Sequence, residues 1–108
     1  MKNYSTLIQE IKQCESLDEL EAGADIFDYG IEKGCYSQRQ SKEFNTIYWS
    51  IKDRLIAKGI SNKVKASNGL DLIYIVSKAP VNIKEDENKL VEYVNSIIKN
   101  LRGKQRIN

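Results

Sequence analysis

Apolar residues recur at alternating steps of three and four along much of the chain, a spacing that stacks them on one face of a helix. The pattern is clearest between Ser16 and Gly59. Leu17, Leu20, Ala24, Phe27 and Ile31 form one stripe, and Phe44, Ile47, Tyr48, Ile51 and Leu55 form another. Each stripe follows a capping box, Ser16-Leu17-Asp18-Glu19 and Ser37-Gln38-Arg39-Gln40, in which the serine hydroxyl accepts from the third helical amide and the Glu or Gln reaches back to the serine's amide. Gly34 is placed to end the first helix in the left-handed conformation, and Gly59 to end the second. So short a connection predicts antiparallel neighbours.

This helical hairpin needs further elements to cover it, and its second apolar faces, Ala22, Ile26 and Tyr29 on one helix and Trp49 and Ile56 on the other, are available for that or for a partner. A preceding helix is predicted from Asn3 or Thr6 to Cys14, with Tyr4, Leu7, Ile8 and Ile11 on one face. A last helix begins between Asn82 and Asp86, carries Leu90, Val94, Ile97 and Leu101 at the same spacing with Val91 and Ile98 beside them, and closes at Gly103. Lys104, Gln105 and Arg106 then fray into solvent.

Helical periodicity breaks over residues 60–85. Leu72-Ile73-Tyr74-Ile75-Val76 is rich in β-branched residues, and Asn68-Gly69 separates it from Lys63-Val64-Lys65-Ala66 in the manner of a two-residue hairpin turn. The favoured fold is therefore mainly α, about four helices around the central antiparallel hairpin, with a small β-hairpin near residues 62–77 and Val81 to Ile83 as a third edge strand. The competing fold is an all-α five-helix bundle, in which a short buried helix runs from Leu70 to Ala79 and ends before Pro80.

With 108 residues the chain is long enough for a single small globular domain, residues 1–108, without disulfides or metals. No secretory leader and no apolar run of membrane-spanning length is legible, so the expectation is a cytoplasmic protein without a membrane partner. Abundant Ile, Lys and Asn with scarce Arg is a bias we associate with AT-rich bacterial genomes, their phages and their mobile elements. Cys14 and Cys35 lack metal-ligand spacing and read as small buried hydrophobes. Histidine is absent from the sequence, which removes Ser-His and Cys-His catalysis and histidine zinc sites. No catalytic set, metal site or cofactor is expected.

Charge is distributed unevenly. Residues 1–32 hold two lysines against eight acids, a net charge of −6, while the chain as a whole is +2. Five of those acids, Asp18, Glu21, Asp25, Asp28 and Glu32, repeat at three-four spacing and form a stripe roughly 100° around the helix from the apolar one. Such a stripe is either solvated, paired with neighbouring cations, or a docking strip for a basic protein.

The turn at Gly34 resembles the DNA-binding helix-turn-helix, but alignment on that glycine puts Lys33, Gln40 and Glu43 where the motif buries apolar side chains. Gln38, Arg39, Ser41, Lys42 and Asn45 are either an ordinary polar helix face or a set that meets phosphates and base edges. Lys99, Arg102, Lys104 and Arg106 oppose a helix dipole or contact phosphates.

The first expectation is thus a non-enzymatic interaction protein, an adaptor, regulator or inhibitor, that binds a basic protein partner through Asp18, Glu21, Asp25, Asp28 and Glu32 or through Trp49 and Ile56. The alternative is a nucleic-acid-binding protein that uses Arg39, Lys42, Lys99, Arg102, Lys104 and Arg106. Heptad-like stripes also permit a homo-oligomer.

Overall fold

A computed structural model describes the backbone of residues 3–64 and 72–106, with side chains through residue 100. Among these residues the secondary structure is helical: α1 (Tyr4–Lys12), α2 (Leu17–Glu32), α3 (Gln38–Ile60), α4 (Leu72–Lys78), α5 (Val81–Lys84) and α6 (Glu87–Arg106). Two compact units divide the chain, Met1–Leu55 and Ile56–Asn108.

The helix starts follow from local chemistry. Asn3 caps α1 by accepting from the Thr6 amide at 2.8 Å. Ser16 Oγ accepts from the Glu19 amide at 3.2 Å, and Glu19 reaches back to the amide of Glu15 at 3.1 Å, one residue beyond the serine. The second box closes reciprocally, Gln40 N to Ser37 Oγ at 3.1 Å and Ser37 N to Gln40 Oε1 at 2.9 Å. Asp86 caps α6, its Oδ1 accepting from the amides of Asn88 and Lys89 at 3.0 and 3.3 Å.

Gly34 ends α2 with φ of +73°, the Gly34 amide donating to the Ile31 carbonyl at 3.0 Å and the Cys35 amide to that of Gly30 at 2.9 Å. These two bonds are the Schellman closure, which needs a residue without a Cβ penalty at this position. Gly59 does not stop α3, which continues to Ile60, and Gly103 does not close α6, which continues through Arg106 where fraying was expected. A glycine inside a helix costs about 1 kcal/mol relative to alanine, and the surrounding helix absorbs that cost.

The β-hairpin expected near residues 62–77 is not supported. Leu72-Ile73-Tyr74-Ile75-Val76 lies in α4, Lys63 and Val64 lie in the turn after α3, and Val81 to Ile83 lies in α5. The Asn68-Gly69 turn and the Lys65-Ala66 end of the first strand fall outside the described residues. Burial explains the helix: Ile75, Val76 and Ala79 point into a core, a spacing that a helix meets and an alternating strand does not.

In the first unit, Leu7, Ile8, Ile11, Leu20, Phe27, Phe44, Ile51 and Leu55 form the core. The buried positions of α2 are Leu20, Gly23, Phe27 and Gly30, so the helix is rotated from the predicted stripe and Leu17 and Ile31 are left exposed. Close approach explains the rotation. A Cβ on Gly23 would lie 2.6 Å from Ile11 Cγ2, and one on Gly30 would lie 2.7 Å from Tyr36 Cδ2. In the second unit, Ile56, Ile60 and Val64 pack with Ile75 and Val76 of α4 and with Leu90, Val94 and Ile98 of α6. Lys63 pairs with Glu87 at 2.9 Å in that unit.

Candidate functional site

The acidic stripe acquires a setting in the first unit. Side-chain contacts place residue 27 opposite 44, 21 opposite 48 and 14 opposite 54, so α2 and α3 run antiparallel. Phe27 and Phe44 stack between them with centroids 3.9 Å apart and planes 2° from parallel, and Tyr36 stacks on Phe27 at 4.9 Å. Tyr4 of α1 closes this cluster, its hydroxyl donating to Glu43 Oε1 at 2.9 Å.

Along one side of the stacked rings lies an open cleft of about 350 Å³. Glu21, Asp25 and Asp28 form its α2 wall, while Ser41, Asn45 and Tyr48 form its α3 wall. Phe27, Phe44 and Ala24 also line it. Three carboxylates thereby face a hydroxyl, an amide and a phenol across an aromatic surface.

The phenol is held in place. Tyr48 donates its hydroxyl proton to Glu21 Oε1, and Lys52 Nζ donates to the phenol oxygen at 3.3 Å while standing 3.7 Å from the same carboxylate oxygen. Lys52 also lies over the rings of Tyr48 and Trp49, at 5.4 and 5.0 Å from their centroids. Burial first, then the bond to Glu21 and the nearby charges of Asp28 and Asp25, push the Tyr48 phenol well above the ordinary tyrosine range. The phenol therefore keeps its proton to higher pH than an ordinary tyrosine.

All five acids of the stripe are exposed. Among the described residues Glu21 is ion-paired, to Lys52, whereas Asp18, Asp25, Asp28 and Glu32 have no cation at ion-pair distance. Asp18 and Glu32 lie on α2 toward its two ends, outside the lining of the cleft. Trp49 is part-buried and meets Tyr48 edge to face at 5.7 Å. Ile56 belongs to the core of the second unit, so it offers no docking surface there. Arg39 and Lys42 are exposed on α3 in the first unit and Lys99 is exposed on α6 in the second; the side chains of Arg102, Lys104 and Arg106 fall outside those described.

Sequence spacing revealed the carboxylates but missed Ser41, Asn45 and Tyr48 as their facing wall. Tyr48 reads as a member of the apolar stripe of α3, and no spacing within α3 points to a carboxylate on another helix. Cys14 is buried as expected, while Cys35 is exposed because it follows the Schellman glycine in the turn.

Among the described residues no three His, Cys, Asp or Glu side chains converge as a metal site, and no helix is long and apolar enough to cross a membrane. No protein-family model, curated protein or solved structure matches this chain. The chemistry available to the cleft is recognition of a cation: carboxylates supply charge, and Ser41 and Asn45 supply hydrogen bonds.

Proposed function

We propose that this protein is a non-enzymatic cytoplasmic interaction protein, an adaptor, regulator or inhibitor, that docks a basic segment of a protein partner on the acidic face of α2. The observation that carries the proposal is the exposure of Asp18, Asp25, Asp28 and Glu32 in one line with no cation paired to them among the described residues. A surface of one sign steers an oppositely charged partner and sets its register. The cleft adds shape to that charge, since an arginine or lysine entering it meets carboxylates on one wall and the Ser41 and Asn45 side chains on the other. Tyr48, whose hydroxyl proton is already given to Glu21, contributes by holding that carboxylate in place and not as a base.

Affinity capture of the tagged full chain from host lysate tests this reading, with and without nuclease. The proposal expects protein partners that persist after nuclease treatment, elute with rising salt and are lost when Asp25→Lys and Asp28→Lys are combined. Partners that vanish with nuclease, or that bind the charge-reversed chain equally well, would contradict it.

A further inference from the structure

A second concavity lies on the other flank of α2, against α1. Its walls are Leu7 and Ile11 of α1 and Gly23 and Ile26 of α2, with Glu10 and Glu19 also lining it, and its volume is about 250 Å³. The groove follows from the glycine: without a side chain at Gly23, Ile11 sits where a Cβ would be and the two helices approach closely, leaving a shallow apolar trough at the surface. Leu7 and Ile11 are fully buried beneath it, whereas Ala22 and Ile26 stand at its exposed edge. Tyr29, 52% exposed, continues the line of Ala22 and Ile26 at helical spacing.

This apolar line runs beside the acidic stripe on the same helix. Ala22, Ile26 and Tyr29 are each one residue beyond Glu21, Asp25 and Asp28, so the apolar line lies about 100° around the helix from the carboxylates. The trough is smaller than the roughly 300–1,000 Å³ usual for small-molecule sites, and suits a single side chain of a larger partner. Charge complementarity identifies that partner. Glu10 and Glu19 border the groove, while Asp25 and Asp28 stand on the flank of α2 that faces α3; the bordering charges disfavour an acidic or purely apolar occupant and select one that combines cations with nonpolar residues.

We propose that the α1–α2 groove seats a nonpolar side chain from a basic amphipathic segment of a protein partner, whose lysines or arginines lie on the carboxylates of α2. This rests on the acidic-face reading and adds to it the apolar anchor. Charge alone would attract any polycation; the groove is what selects among them.

A methyl and amide NMR titration of the full chain separates the two claims. The probes are a synthetic amphipathic peptide of alternating leucine and lysine blocks at helical spacing, and a serine/lysine counterpart of equal charge. The expected result is that the leucine peptide shifts the Ile11 and Ile26 methyl signals and binds about tenfold more tightly than the serine peptide. Ile26→Ser should abolish that difference, while Ile73→Ser on the exposed face of α4 should leave it intact. Equal binding of both peptides, with shifts confined to the Asp25 and Asp28 amides, would overturn the groove and leave the acidic face standing. Absence of binding by either peptide at low salt would overturn both. Methyl shifts on simple concentration of the protein would show that a second copy of the chain is the occupant and would also overturn the proposal.

Discussion

Phe27 of α2 and Phe44 of α3 stack nearly parallel, with centroids 3.9 Å apart. This pair joins the two helices that carry the cleft, and its placement ties the stability of the first unit to the geometry of the carboxylates.

Truncating either ring should be severe. Phe27→Ala or Phe44→Ala is expected to cost about 3–5 kcal/mol, the range for buried aromatic residues. Urea unfolding followed by circular dichroism checks this, and a double-mutant cycle should show that the two losses are not additive, because the rings share one contact.

The glycines should behave differently from one another. Gly30→Ala drives a methyl into the Tyr36 ring and is expected to destabilise by about 1–3 kcal/mol. Gly34→Ala, at φ of +73°, should cost about 1–2 kcal/mol through backbone strain although the surrounding space is open. Gly59→Ala should stabilise by roughly 0.5–1 kcal/mol, since it is helical and, beyond its own helix turn, no heavy atom of the described residues lies within 4 Å of the new methyl. Denaturant midpoints of the three variants give the comparison.

High pH should weaken the first unit through its two bonded phenols. Burial first, and then the bond to the Glu43 carboxylate and its charge, raise the Tyr4 phenol to about 12; Tyr48 is raised further by the causes described above. A group with a raised folded-state value contributes fully below its unfolded value near 10 and loses that contribution as pH climbs through its folded value. The urea midpoint should therefore fall between about pH 10 and 12. Tyr4→Phe should flatten part of that fall, and absorbance of the phenolate should show late-ionising tyrosines in the native protein.

The cysteines supply a probe of folding. Cys14 is buried, its Sγ lies 3.5 Å from the Glu10 carbonyl, and burial pushes its thiol above the ordinary range, whereas Cys35 is exposed. Titration with a thiol reagent should modify one cysteine in the native protein and two in denaturant. Rapid native modification of both would contradict the packing of α1 on α2.

The starts of α1, α2, α3 and α6 were legible in the sequence because caps act locally, Asn3, Ser16, Ser37 and Asp86 each satisfying amides a few residues away, whereas α5 has no side-chain cap and its start was not. Helix ends at Gly59 and Gly103 were misread, because a glycine permits a stop without requiring one. The rotation of α2 could not be read from apolar spacing, since Gly23 and Gly30 have no hydrophobic side chain and are buried for the approach they allow. Residues 72–76 looked like a strand by β-branching, and packing of Ile75 and Val76 in the second core overrode that propensity. The acidic stripe was legible in full as a spacing on α2. Its position opposite Ser41, Asn45 and Tyr48 depends on the antiparallel register that the Phe27–Phe44 stack sets, and that register lies beyond any single helix.

The central claim is that the carboxylates of α2 hold a basic protein partner. Its most direct test is quantitative mass spectrometry of proteins captured from nuclease-treated lysate by the wild-type chain and by the isosteric Asp25→Asn/Asp28→Asn variant, after circular dichroism has shown both to be equally helical. The account predicts a discrete set of basic proteins retained by the wild type and depleted about tenfold or more on the variant. Equal capture by the two chains would contradict it.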